Sequence, residues 1–284
     1  MTTAAHHPYF QIQPVLLSLH DKTPLIACAA AELQWQISAD EGFDTDSLGT
    51  FSRDIPRLAT QQQTALHKAK LACQRNQVRF GLGSEGSVQL DPQTGLLPIG
   101  VEMVVFYDAQ LDLAVTGIAQ GPSPLQRWVL RDETALQQRI ATLQLPAQQY
   151  VLFAGELTDG SHTAPVAKGI ASVQQLQDLC APLWPNGAVT LETDYRAHAC
   201  PARRPLIEAA ARDLISRLQS QCPQCQAVDF SIRQKKSGLP CAACHAPTPQ
   251  VKAWVRQCQA CGFAQDEPVA TSMADPQYCP FCNP

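Results

Sequence analysis

The chain has 284 residues, enough for one large domain and one small one. Its 45% hydrophobic and 16% charged content suits a packed core and argues against a disordered chain, and no apolar run reaches the length of a membrane-spanning helix. The net charge of −4 excludes a general electrostatic attraction for nucleic acid.

In chain order, Val15 to Leu19 is apolar between Pro14 and His20 and predicts a first buried strand. Ala27 to Trp35 is Ala-rich and reads as helix, and Glu41 to Thr50 as an acidic loop. Thr60-x-x-Gln63 is a capping box opening a helix on which Leu66, Ala69 and Cys73 recur at helical spacing. Val78 to Leu82 is the next strand. Val101 to Tyr107 and Leu113 to Ala119 read as two strands joined at Asp108 to Gln110. Thr134 to Leu143 is predicted helical, Tyr150 to Gly155 a short strand, Ser172 to Leu179 a capped helix and Val189 to Thr193 a strand. Pro205 to Leu218 is the clearest helix, with Leu206, Ala210, Leu214 and Leu218 on one stripe. Alternating strands and helices predict an α/β large domain over residues 1–219, a mixed sheet flanked by helices. A small module follows over residues 220–284.

That module carries four Cys-x-x-Cys pairs: Cys222/Cys225, Cys241/Cys244, Cys258/Cys261 and Cys279/Cys282. Each pair sets two thiolates on one side of a turn, and two pairs make a tetrahedral site for Zn2+. Four pairs therefore predict two zinc sites in a double zinc ribbon. Sequential pairing is the simplest arrangement, and spacing alone leaves crossed and nested pairings open. With every ligand a cysteine, no coordination position is left for catalysis, so the zinc is structural. His245, beside Cys244, reads as a bystander. Residues Met1 to Phe10 have neither a basic segment nor a long apolar one, so no export signal is expected, and reduced thiolates in the cytoplasm follow. From Cys222 onward there are five cations and four anions. Each Zn2+ with four thiolates adds a charge of about −2. The module is thus expected to be acidic, favouring a protein partner over nucleic acid.

Three polar clusters in the large domain are candidates for chemistry. The first holds Asp44 and Asp46. The second, Gly81-Leu-Gly-Ser84-Glu85-Gly-Ser87, reads as a Gly/Ser-rich turn at a strand end, where backbone N–H groups meet a ligand and Glu85 could hold Mg2+. The third is Asp194, Arg196 and His198, with Arg203 before the last helix, where a phosphate could be gripped. Solvated turns and surface side chains are the competing reading of each cluster.

Several segments resemble an uncharacterised bacterial family catalogued as domain of unknown function 6671. They are Asp44-Thr-Asp46-x-x-Gly49-Thr50-Phe51, Ile55-Pro56-Arg57, Lys68-Ala69, Ser84-Glu85-Gly86-Ser87, Lys168-Gly169-Ile170, Thr193-Asp194-x-Arg196-Ala197-His198, Gly238-Leu239-Pro240-Cys241 and Cys279-x-x-Cys282-Asn283-Pro284. Where that family has Asn-Pro-Thr-Arg, this chain has Cys200-Pro201-Ala202-Arg203, which favours Arg203 over the missing Asn and Thr. The stretch Thr60 to Leu90, with Ala65-x-x-Lys68-Ala69 on its helix, is also similar to the central segment of inosine triphosphate pyrophosphatase-like enzymes. That resemblance implies a central cleft and Mg2+-assisted attack of water on a nucleotide phosphate. It puts Glu85 at the metal, where those enzymes have an Asp pair, with Asp44 or Asp46 assisting. Ser18, His20 (in place of their Asn), Lys22, Lys68, Ser84, Ser87, Asp194, Arg196, His198 and Arg203 would stand around the phosphates or the base. The expectation is a Mg2+-dependent hydrolase of a nucleotide or related phosphate ester; the alternative is a non-catalytic ligand- or protein-binding protein with structural zinc ribbons.

Overall fold

The computed structural model describes residues 7–19, 21–45, 59–91, 94–157 and 163–284. The chain divides into two compact units, Met1–Ile215 and Ser216–Pro284.

The first unit contains two sheets. In the larger, β1 (Val15–Leu17) pairs in parallel with β2 (Ser38–Asp40) on one side and β3 (Phe80–Leu90) on the other. Strand β3 then runs antiparallel to β4 (Pro98–Asp108), and β4 to β5 (Leu113–Pro122), giving the order β2-β1-β3-β4-β5. Helix α1 (Thr23–Ala30) follows β1, carries Pro24 in its first turn and continues as a single 3-10 turn, Ala31–Leu33. The predicted Ala27-to-Trp35 helix is thus displaced toward Thr23, because proline suits the first turn of a helix. Helix α2 (Gln61–Asn76) forms the predicted capping box: Thr60 Oγ1 accepts from Gln63 N at 3.2 Å, and Thr60 N donates to Gln63 Oε1 at 3.0 Å.

The expected Gly/Ser-rich turn at residues 81–87 is instead the interior of β3, paired with β4 from Phe80↔Asp108 through Leu90↔Pro98. The glycines are there for clearance. A Cβ at Gly81 or Gly83 would overlap the Ala69 or Ala65 carbonyl of α2, so β3 and α2 approach at backbone distance. The pattern that reads as a phosphate-binding turn is therefore, at these two positions, a helix–strand packing seam.

The second sheet has the order β6-β9-β7-β8, all antiparallel, from β6 (Arg127–Leu130), β7 (Tyr150–Ala154), β8 (Ala167–Ile170) and β9 (Val189–Thr193). Helices α3 (Glu133–Ile140) and α4 (Val173–Cys180) contribute Leu136, Leu176 and Cys180 to a core with Leu152, Ile170 and Leu191 of the strands. Helix α5 (Arg204–Gln219) packs against β5 at Gly117, where a Cβ would overlap the Ala210 carbonyl, and Asp213 accepts a 2.8 Å hydrogen bond from Ile118 N. The large unit is therefore mixed α/β with flanking helices.

The second unit is built on a three-stranded antiparallel sheet, β10 (Ser231–Ser237), β11 (Val251–Gln257) and β12 (Ala264–Pro268). Its core cluster is Phe230, Cys222 and Cys258, with Phe263 packed against it. So small a core cannot hold sixty-odd residues alone, and the rest of the order comes from the cysteine turns. Among the described residues, no helix is long and apolar enough to cross a membrane.

Candidate metal centres and a buried ionic site

The eight cysteines form two groups of four: Cys222, Cys225, Cys258 and Cys261, and Cys241, Cys244, Cys279 and Cys282. The pairing is interleaved. The first Cys-x-x-Cys turn joins the third and the second joins the fourth, so of the arrangements the spacing leaves open the structure has the crossed one. The long gaps do not bridge ligands of a single site: the chain alternates between the sites, and the β10–β11 connection carries the second turn.

The sulfur geometry suits a tetrahedral ion. Sγ atoms of Cys222 and Cys261 are 3.7 Å apart, Cys225 and Cys258 3.6 Å, Cys241 and Cys282 3.8 Å, and Cys244 and Cys279 3.6 Å. Four sulfurs at about 2.3 Å from a central Zn2+ lie about 3.8 Å from one another. Disulfides would need about 2.05 Å, and all eight are free cysteines.

The four turns share one hydrogen bond, in which the first cysteine's carbonyl accepts from the N–H four residues on: Gln226 to Cys222 at 2.9 Å, His245 to Cys241 at 3.0 Å, Gly262 to Cys258 at 3.0 Å and Asn283 to Cys279 at 2.9 Å. In the first three the donor has positive φ, 64° at Gln226, 61° at His245 and 76° at Gly262. His245 is therefore the left-handed residue of its turn, a conformation His adopts more readily than most residues. Backbone N–H groups also favour thiolate. Those of Cys244 and Ala243 pull Cys241 down to about 7, and that of Cys261 does the same for Cys258. A hydrogen bond with the Cys244 thiol pushes Cys282 up to about 12. Four thiols this close hold protons unequally, and a divalent cation removes the conflict by taking all four as thiolates.

The large unit holds a second concentration of charge, around the middle of β3. Strand alternation points Glu85 toward α2, where its carboxylate is in contact with Lys68 Nζ, both side chains being 9% exposed. Ser84 and Gly86 point to the opposite face. There the Lys22 ammonium, brought by the loop between β1 and α1, donates to Ser84 Oγ at 3.2 Å. Glu102 of β4 is paired with Gly86 in register and is fully buried. It holds Arg203, which is 2% exposed, by Nε and by a 3.0 Å bond from Nη2. Arg203 Nη1 also donates to the Tyr195 carbonyl at 2.6 Å, and the guanidinium lies 4.8 Å over the Tyr195 ring. Gly86 makes room for it, since a Cβ there would overlap Nη2.

Among the described residues, the pair on the α2 face of β3 (Lys68 and Glu85) is balanced, and the group on the opposite face (Lys22 and Arg203 with Glu102) has a net charge of +1. Among the described residues Lys22 has no carboxylate within ion-pair distance. Burial pulls its pKa down to about 8, helped by the neighbouring Arg203 and opposed by Glu102 and Glu85. Burial opposes the charge of Arg203 as well, but Glu102 more than compensates and holds it above the usual arginine range.

Of the predicted site residues, Ser18, Lys22, Lys68, Ser84, Glu85 and Arg203 are buried in the large unit. Ser87 donates to Gln61 Oε1 at 2.6 Å, and Gln61 Nε2 in turn holds the Glu85 and Val101 carbonyls at 2.9 and 2.8 Å. Asp194 and Arg196 pair with each other beyond β9, and Asp194 also accepts from Gly169 N at 3.1 Å. Asp44 and His198 are exposed. Asp46 and His20 lie outside the described residues. Glu102 escapes a reading of the sequence because it sits in an apolar strand run, Ile99 to Phe106, with no polar cluster around it. Its only signal is its register opposite Gly86. Among the described residues, the two cysteine groups are the only sets of three or more His, Cys, Asp or Glu that could hold a metal ion.

Fold and sites together define a two-unit protein: a mixed α/β unit with a buried ionic site, and a small cross-braced module with two four-cysteine groups that could each hold a metal ion. The chain belongs to the family described as Domain of unknown function (DUF6671), whose model matches residues 68–284. The matched segment starts at Lys68 and includes Glu85, Glu102, Arg203 and all eight cysteines; Lys22 and residues 44–57 precede it. No curated protein and no solved structure matches the chain, so the likeness to inosine triphosphate pyrophosphatase-like enzymes gains no support from them.

Proposed function

We propose that the large unit is a Mg2+-dependent hydrolase of a nucleotide or related phosphate ester, with zinc holding the small module together. The observation that carries this reading is the buried, cation-rich group at the end of β1. Ligands of open α/β sheets are received beyond the carboxyl ends of parallel strands; Lys22 follows the carboxyl end of β1, and its partner Ser84 stands on β3 one residue past the β1 pairing. On the face of β3 that carries Ser84, among the described residues, Lys22 and Arg203 against Glu102 leave a positive charge that a phosphate would neutralise. Protein sites commonly hold Mg2+ through one or two carboxylates together with the substrate's own phosphate oxygens. Glu85 is the carboxylate suited to that role, with Lys68 released from it to the phosphate. The metal would polarise the phosphoryl group. Lys22 and Arg203 would orient it.

A second reading, ligand binding without catalysis, is favoured by one feature: both carboxylates already have a cationic partner, Lys68 for Glu85 and Arg203 for Glu102. In that case no metal is needed, and the exposed Trp254 and Phe281 of the small module are candidates for contact with a protein partner.

Phosphate and pyrophosphate release from a panel of standard and modified nucleotides, with Mg2+ or Mn2+, separates the two. Turnover by the wild type that Glu85→Gln abolishes supports the hydrolase. A folded, zinc-loaded wild type that binds nucleotides but turns none over leaves the binding reading.

A further inference from the structure

Of the three buried cations, Arg203 is held most completely, and what holds it is a residue with no assigned role. Glu102 grips its guanidinium edge through two contacts, at Nε and Nη2. The Tyr195 carbonyl takes Nη1, and the Tyr195 ring covers one face. On β3, Gly86 leaves it room: a Cβ there would overlap Nη2 and come within 2.7 Å of Glu102 Oε1. Gly86 and Glu102 are partners across the β3–β4 ladder. One strand thus supplies the carboxylate and the other the gap, and the two together fix where the guanidinium can lie. We propose that Glu102 is a positioning residue that, with Gly86, holds the Arg203 guanidinium in the orientation that receives an oxyanion of the phosphorylated ligand. This rests on the reading given above.

A Glu102 that acts by charge alone makes the opposite prediction, which lets experiment decide. Glu102→Gln raises the site's net charge from +1 to +2, so by charge alone anions bind more tightly. If Glu102 acts by orientation, affinity falls in spite of the added positive charge, because bidentate carboxylate–guanidinium geometry is lost. Gly86→Ala is the companion variant. It keeps every charge and displaces the guanidinium and the Glu102 carboxylate that holds it, so charge alone predicts no change.

The experiment is calorimetric titration of the zinc-loaded full chain with inorganic pyrophosphate and with inorganic phosphate, with and without Mg2+, alongside thermal melting. The expected result is a loss of pyrophosphate affinity of roughly tenfold or more in Glu102→Gln and in Gly86→Ala, in protein that still melts cooperatively. If Glu102→Gln does not fold, Gly86→Ala and the charge-conserving Glu102→Asp decide, each expected to lose affinity by a similar factor. Unchanged or tighter binding in the folded variants overturns the inference while leaving the proposed function standing. A wild type that binds neither anion under any condition overturns both.

Discussion

Lys22 and Ser84 are joined by a 3.2 Å hydrogen bond that ties the loop after β1 to the middle of β3, and the ammonium making it is 5% exposed with no carboxylate partner among the described residues. A charge in that position costs stability unless a ligand supplies the counter-ion. Its pKa of about 8 lies below the ordinary lysine value, so between the two the unfolded chain binds more protons than the folded one. Stability from this group therefore rises with pH across that interval, and the penalty is fully present below pH 8. The difference from an ordinary lysine is worth roughly 3 kcal/mol. Lys22→Met is expected to melt at a higher temperature than the wild type at pH 7, with the gap closing as pH rises toward 10. Urea unfolding of both proteins at several pH values checks it. A Lys22→Met protein that is less stable at pH 7 would make Lys22 a structural residue.

Lys68 and Glu85 form a buried pair on the other face of β3. Removing one partner strands a charge, which typically costs 3–5 kcal/mol, roughly, whereas removing both is far milder. Lys68→Met is therefore expected to destabilise strongly, and Lys68→Met with Glu85→Leu to recover most of the loss. A double-mutant cycle by chemical denaturation measures the coupling. Additive effects would show that the two side chains do not interact in solution.

How much of this could be read in advance divides by the range of the interaction. The caps at Thr60 and Ser172 are local, three residues from donor to acceptor: the full capping box forms at Thr60, and at Ser172 the side chain caps Gln175 N while the Gln175 side chain takes Ala171 N instead. The cysteine turns are local too, so the four-cysteine groups that could hold metal were legible. Their crossing was not, because it depends on contacts between residues over thirty apart in sequence, such as Cys222 with Cys261. The glycines at 81, 83 and 86 were misleading for a related reason. Their motif matches a loop, yet each is demanded by something distant: α2 at the first two, Arg203 at the third. Short strands such as β2, β6 and β8 carry too few residues to show alternation, and pairing with neighbours makes them strands.

Gly83 tests the seam directly. A Cβ there would overlap the Ala65 carbonyl and come within 2.7 Å of Ala69 N, both main-chain atoms that cannot rotate away. Gly83→Ala must separate β3 from α2, and overpacking of this kind costs about 1–3 kcal/mol or more. The displacement would also carry Lys68 away from Glu85. The expected outcome is a clear drop in melting temperature together with weaker ligand binding at the ionic site. Gly95, in the β3–β4 connection, has open space around its Cβ position but a φ of 66°. Gly95→Ala should therefore cost only local backbone strain and leave ligand binding unchanged.

Interleaving gives the zinc module a property that two sequential sites would lack. With sequential pairing, loss of a ligand at one site would leave the other closed by its own contiguous stretch of chain. Here the second turn, at Cys241 and Cys244, lies between the two halves of the first site, and the third turn, at Cys258 and Cys261, lies between the two halves of the second. Ala274 N donates to the Pro240 carbonyl at 2.7 Å and Ala242 N to the Ala274 carbonyl at 2.9 Å, lacing the second site to the segment beyond β12. Each ion closes a loop that contains ligands of the other, so binding at one lowers the chain entropy lost at the other. The wild type is expected to hold two zinc ions per chain. Cys258→Ser, which removes a ligand of the first site alone, is expected to lose most of the second ion's affinity as well. Zinc content by mass spectrometry under native conditions, and chelator titration with a colorimetric zinc indicator, read this out. Cooperative release of both ions from the wild type, and weakened retention of the remaining one in Cys258→Ser, follow from the crossed pairing. Independent release with a fully retained second ion would instead fit two sequential sites.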